Sequence, residues 1–374
     1  VKVLVAPDKF KGSLTSAEAA SLIGKAFKNN GFEVITSPLA DGGEGTVDAI
    51  TSAVGGRKKV VLAKGPLGRS LESFIGLIKD GKEAVIEMAA ASGLNLLGPA
   101  EYNLLKTSTY GTGELIKAAL DEGVDEILIG VGGSATNDAG MGAAKALGAE
   151  FLDGAGNALE PVGENLGRVK KYDLSGMDPR IEKTKILVAV DVENPFYGEQ
   201  GAAHVYGPQK GADQKQVEFL DSGLVDIAEV IENQSGQNLQ KLPGSGAAGG
   251  LAGGLVAFLG AKITPGTKYI SDLLQIGTKV LQVDLVVTGE GKVDEQTLYG
   301  KAPTGVFNEA KKHSKKVIMI AGQIGEGVEK LEEEGIEIYM LAKGNRDAKW
   351  SMENPEKAIE LTVEEIVKSL KADS

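Results

Sequence analysis

Val1-Lys2-Val3-Leu4-Val5-Ala6-Pro7-Asp8-Lys9 opens the chain, and Asp284-Leu285-Val286-Val287-Thr288-Gly289-Glu290-Gly291 repeats its form near the other end. Each is a short apolar run that breaks into proline or glycine among charged residues, as a buried strand running into a loop does. After the first run, Thr15-x-x-Glu18 has the form of a capping box, and Leu22, Ile23, Ala26 and Phe27 follow at helical spacing. Residues 33–38 read as a second strand and 46–54 as a short helix. After the second run come a helix over 304–314, a strand over 317–321, a helix over 328–334 and a strand over 336–341. Asn354-Pro355 starts a last helix with Ile359, Val363, Ile366, Val367 and Leu370 on its inward face.

Strand–helix alternation of this kind predicts parallel βαβ units. Five strands from the two ends fit a flavodoxin-like parallel sheet of order 2-1-3-4-5. The expected fold is α/β with two domains. Residues 1–60 and 282–374 form the flavodoxin-like domain, and 61–281 are a large inserted second α/β domain. Within the insertion, 60–63, 73–78, 84–88, 126–130 and 186–190 read as strands, and 113–122, 141–148, 217–232 and 250–260 as helices.

Composition removes whole classes of function. Lys and Arg number 40 against 52 Asp and Glu, a net charge of −12, which makes nucleic acid or an anionic membrane a poor partner. With no cysteine there is no disulfide, thiolate metal site or cysteine nucleophile, and the two histidines, His204 and His313, have no metal-ligand spacing. No G-x-S-x-G elbow, G-x-x-x-x-G-K-[ST] loop or protein-kinase motif set occurs. The first residues show no signal-peptide pattern and no apolar stretch reaches a membrane span, so a cytoplasmic protein is expected. Glycine, 52 of 374 residues, is roughly twice as frequent as usual and points to tight loops.

In an open parallel sheet of this order, ligands bind at the carboxyl ends of strands one and three. The loop after strand one holds Asp8, Lys9, Lys11, Gly12 and Ser13. The loop expected after strand three holds Glu290, Gly291, Lys292 and Asp294, and Asp41-Gly42-Gly43-Glu44-Gly45 follows strand two. Lysines with glycines near a helix start suit phosphates, and carboxylates beside them suit Mg²⁺. The plain alternative is that these are solvated loop charges. Two more glycine clusters lie in the insertion, Gly130 to Asp138 and Gly244-Ser245-Gly246-Ala247-Ala248-Gly249. The second matches G-x-G-x-x-G, yet no strand precedes it, so close packing explains it as readily as a dinucleotide. Asp191, at the end of the run 186–190, is either a base or metal ligand or the start of a turn at Asn194-Pro195.

At these residues the sequence resembles the type 1 glycerate kinase family over nearly its whole length. The matching stretches are Ala6 to Leu14, Pro38 to Thr46, Gly132 to Asp138, Asp191 to Pro195, Gly244 to Gly250 and Thr288 to Asp294, six motifs in order. Val190 and Phe196 stand where family members often have Cys and Leu. The resemblance implies ATP-dependent phosphorylation of D-glycerate with Mg²⁺, favouring 2-phosphoglycerate, on a flavodoxin-like domain joined to a second α/β domain with the active site between them. The physical assignment that goes with it makes Asp191 the base, with Lys9 and Lys11 also catalytic. Asp8, Ser13, Gly42, Gly43, Glu44, Gly244, Ser245, Gly246 and Lys292 bind substrate or phosphate, and Asp294 and Glu290 hold the metal. Two other readings remain open: a flavin- or dinucleotide-binding oxidoreductase, and a non-catalytic sugar-acid binding protein.

Overall fold

The computed structural model describes residues 1–298 and 302–372. Among them the strands are, in chain order, β1 (Lys2–Val5), β2 (Glu33–Thr36), β3 (Arg57–Lys64), β4 (Ser70–Ile78) and β5 (Glu83–Glu87). β6 (Glu126–Gly130), β7 (Glu150–Leu152), β8 (Lys171–Asp173), β9 (Lys185–Val190) and β10 (Lys262–Pro265) follow. β11 (Leu285–Val293), β12 (Lys316–Ile324) and β13 (Ile336–Met340) complete the set.

Two compact units result. Val1–Asp41, Asp48–Val54 and the described residues from Thr267 onward form the first, Gly42–Val47 and Gly55–Gly266 the second. Residues 55–60, of which 57–60 belong to β3, lie in the second unit and 267–281 in the first.

The first unit carries a parallel five-stranded sheet of order β2-β1-β11-β12-β13, the arrangement expected from the five runs. β1 and β11 are neighbours, with Val3 opposite Leu285 and Val5 opposite Val287. Their apolar residues are buried because helices cover both faces of such a sheet. Helix Ser16–Asn29 starts at the anticipated capping box, in which the Glu18 N–H donates to Thr15 Oγ1 at 3.2 Å and the Thr15 N–H to Glu18 Oε2 at 2.9 Å. It buries Ile23 and Phe27 against Val3, Val5 and Val287. Helix Pro355–Ala372 buries Ile359, Val363, Ile366 and Val367, the face that the spacing indicates.

One element is longer than expected. Gly289-Glu290-Gly291 does not stop strand three; β11 runs on through Val293, with Gly289 opposite Ile320 and Lys292 opposite Gln323. Glycine in a strand marks a close backbone approach. A Cβ on Gly291 would lie 2.8 Å from the Lys11 backbone nitrogen, and one on Gly289 would lie 3.2 Å from the Phe10 ring.

The second unit holds a six-stranded mixed sheet of order β10-β9-β6-β5-β4-β3. β5, β6, β9 and β10 are parallel, while β3, β4 and β5 pair antiparallel. β10 was not anticipated. It is a four-residue edge strand ending in proline, with no alternation to reveal it. The antiparallel pair β7-β8 was also missed; it brings Phe151 and Tyr172 edge-on to Phe258, at 5.2 and 5.4 Å between ring centroids. Among the described residues no helix is long and apolar enough to cross a membrane.

Candidate active site

The carboxyl ends of β1 and β11 place the first cluster of charged residues in one crevice of the first unit. The backbone fixes them: the Asp8 N–H donates to Gly289 O at 2.8 Å and the Gly291 N–H to Lys9 O at 3.3 Å. Asp8 and Glu290 are both buried, 7% and 6% exposed, which is unusual for carboxylates. Burial and the nearby Asp41 carboxylate, with Glu290 a smaller contributor, push the Asp8 carboxyl up to about 7 against the pull of Lys9. The Lys9 N–H donates to Asp8 Oδ1 at 2.7 Å, and its ammonium lies 3.3 Å from Asp41 Oδ1. Lys292 pairs with Asp294 at 3.1 Å, while the Asp294 N–H donates to Thr297 Oγ1. Lys11 and Ser13 are exposed on the loop after β1. A neighbouring cavity of about 190 Å³ has Lys11, Ser13 and Lys292 on its wall, while Asp8, Lys9, Asp41 and Glu290 do not line it.

Crevices at strand carboxyl ends are where open α/β sheets bind ligands. Asp8 and Glu290 offer buried carboxylate oxygens, while the lysines supply charge for anions. Such a place can hold a phosphate chain and a hard cation together.

In the second unit, three glycine-rich stretches pack against neighbouring loops. Gly42 packs on Gly130, and the Gly132 N–H donates to Gly42 O at 3.2 Å. A side chain at Gly132 would strike the Gly43 backbone, its Cβ coming within 2.8 Å of Gly43 Cα. Glu44 is exposed beside them. The Gly246 N–H donates to Asn194 O at 3.1 Å, and a Cβ on Gly244 would lie 2.8 Å from Val192 O. Ser245 is fully buried, its hydroxyl donating to Leu239 O at 2.8 Å. Gly244, Ser245 and Gly246 therefore serve close packing of the loop after β9. The turn before them, Leu239–Lys241, is a short 3-10 helix and not the strand a dinucleotide fold requires. Asp191 is exposed at the end of β9, beside Gly266.

Three further polar residues of this unit escaped the sequence reading. Glu87 is 2% exposed and accepts from the Gly45 and Val47 N–H groups, pinning the 42–47 turn to β5. Asp138 is buried and accepts from the Thr109 N–H and Oγ1 and from the N–H groups of Gly140 and Gly142. Lys210 is 3% exposed; its ammonium donates to Ser134 Oγ at 2.6 Å and to Thr136 O at 2.9 Å. Burial pushes Lys210 down to about 7, with Asp138 opposing it, and burial raises Asp138 against its hydrogen bonds. Within the same loop the Asn137 side-chain amide is buried with neither polar atom hydrogen-bonded among the described residues. Lys210 lies 76 and 74 residues from Ser134 and Thr136, so no local pattern could have exposed it. Of the three, only Asp138, at the end of the glycine-rich stretch that begins at Gly130, carries a signal in the sequence.

The chain matches the model of the glycerate kinase family over residues 3–371. It is 48% identical over 342 residues to a glycerate kinase of Halalkalibacterium halodurans, covering 90% of this chain and 89% of that protein. A glycerate 2-kinase of Escherichia coli is 43% identical over 339 residues, covering 90% and 89% of the two chains. A solved structure from Salmonella typhimurium LT2, ascribed to glycerate kinase 2, superposes with a TM-score of 0.86 at 40% identity, over 100% of this chain and 99% of that one.

Proposed function

The chain belongs to the glycerate kinase family, and from that premise we propose that it transfers the γ-phosphoryl group of ATP to the 2-hydroxyl of D-glycerate, giving 2-phosphoglycerate. The observation that carries this reading is the crevice of the first unit, where lysines stand beside the buried carboxylates Asp8 and Glu290. Phosphoryl transfer is mainly positioning and charge neutralisation, so it calls for cations against the phosphates and a carboxylate near the attacking hydroxyl. Lys9 and Lys11 neutralise phosphate or glycerate carboxylate oxygens, with Ser13 and Lys292 donating beside them. The same reading places the enzyme in the cytoplasm, where ATP is available.

The donor set fits Mg²⁺, being all oxygen. Among the described residues no three acidic or histidine side chains gather around a metal position. The ion would therefore rest on one or two carboxylates, Asp294 and Glu290, together with the phosphates, as Mg²⁺ does. When bound it neutralises charge on the phosphates.

As the new O–P bond forms and the bond to the β-phosphate oxygen breaks, the hydroxyl proton passes to a carboxylate. Asp191 is the first candidate, at the end of β9. Asp8 is favoured as a second by its carboxyl held near 7, the range a general base uses. The Asp→Asn variant of the true base lowers kcat with little change in Mg²⁺ requirement. At a metal ligand the same change raises that requirement. A coupled assay for ADP release across small hydroxy acids tests the activity. Phosphorus NMR of the product tests the position, since a 2-phosphate couples to one proton and a 3-phosphate to two.

A further inference from the structure

The cavity of about 190 Å³ in the first unit has a chemically mixed lining. Phe10, Leu14, Leu341, Met352 and Pro355 give it an apolar wall. Phe10 and Leu341 are buried beneath it, while Met352 stays about half exposed at the rim. Lys11 from the loop after β1 and Lys292 from β11 also line it, their backbones held close at Gly291, with the Lys292 ammonium 3.1 Å from Asp294 Oδ2. Gln323, at the end of β12, adds a carboxamide that can both donate and accept. Helix Ala348–Glu353 places Ala348, Ser351 and Met352 on the lining.

A ligand that uses both parts of this lining must join an apolar body to negative charge. Glycerate does not qualify: each of its three carbons bears oxygen, so the apolar wall would gain nothing by covering it. A nucleoside triphosphate does, with ring faces that are apolar, a ring edge that hydrogen-bonds and a phosphate chain that needs cations. We propose that this cavity is the nucleotide subsite, with the base against Phe10, Leu341 and the helix Ala348–Glu353 and the phosphates on Lys11 and Lys292. The assignment rests on the kinase reading and deepens it, because it separates the residues that choose the nucleotide from those that hold the acceptor.

The test uses the full chain and two variants. Ala348→Phe fills the cavity from its wall, and Met352→Ser removes an exposed apolar rim, a change the fold tolerates readily. ADP binding with Mg²⁺ present and glycerate absent is measured by calorimetry, alongside KM for ATP and for glycerate. Ala348→Phe should weaken ADP binding and raise KM for ATP by about tenfold or more, and Met352→Ser by about threefold, with KM for glycerate unchanged in both. Wild-type affinity for ADP in both variants would overturn the subsite while leaving the kinase reading intact. A raised KM for glycerate with unchanged ADP affinity would also overturn it, by giving the cavity to the acceptor. No ADP affinity and no ATP turnover in the wild type would remove the kinase reading itself.

Discussion

Asp8 sits where an ionised carboxylate is costly, and the cost has a pH signature. Its folded-state value of about 7 lies above the ordinary 3.8, so between these limits the folded chain keeps a proton that the unfolded chain releases. Stability from this residue is therefore greatest at low pH and declines as pH rises from about 4 to 7. Asp8→Asn removes the decline. The variant should melt about 5 °C higher than wild type at pH 8, with the gain shrinking toward pH 5, while turnover falls about a hundredfold or more. Equal melting gains at both pH values would show that ionisation is not the cause. Lys9→Ala and Lys11→Ala should lower ATP turnover by about tenfold or more and shift Tm by no more than about 2 °C, because exposed or half-exposed lysines seldom support folding. Comparison of kcat/KM with thermal melts checks both.

Loops of the second unit show how buried polar groups and glycines replace regular secondary structure. The stretch Ser134 to Asp138 is held from outside by Lys210 and Thr109, which satisfy groups that would otherwise be buried without partners. The Lys210 value of about 7 lies below the ordinary 10.5, so the unfolded chain binds the extra proton between these limits. Wild-type stability relative to Lys210→Met should accordingly rise as pH goes from 7 to 10, as read from denaturant melts at a series of pH values. Glycine is required where these loops touch. Gly249 has φ +69, and a Cβ there would lie 2.6 Å from Asn137 Cα. Gly249→Ala should therefore destabilise by roughly 3 kcal/mol, from backbone strain and overpacking together.

Among the described residues each unit buries a core of its own. Phe27 is fully buried among Val3, Ile23 and Val363 in the first unit, and Phe151 lies buried with Phe258 and Tyr172 in the second. Chains with more than one core commonly depart from a single two-state transition. Phe27→Ala and Phe151→Ala should each cost about 3–5 kcal/mol. Hydrogen exchange should show the loss of protection concentrated in the unit that carries the substitution. Equal loss throughout both units would mean that they unfold as one.

The order of the five-stranded sheet was legible because its strands are short apolar runs, and a strand buried on both faces must be apolar along its length. The capping box at Thr15 and the inward face of the last helix were legible for a similar reason, since each depends on residues three or four apart. The sequence also placed Asp8, Lys9, Glu290 and Lys292 at neighbouring strand ends, because strand order follows from element order in this architecture. Tertiary structure alone decided the rest. β11 continues through its glycines because β12 and the Phe10 loop approach too closely for side chains. The Gly244–Gly249 cluster faces Asn194, Pro195 and Asn137 and so packs loops together. Lys210 reaches Ser134 across 76 residues. Contacts of this kind depend on burial and on partners distant in the chain, and neither leaves a periodic trace in the sequence.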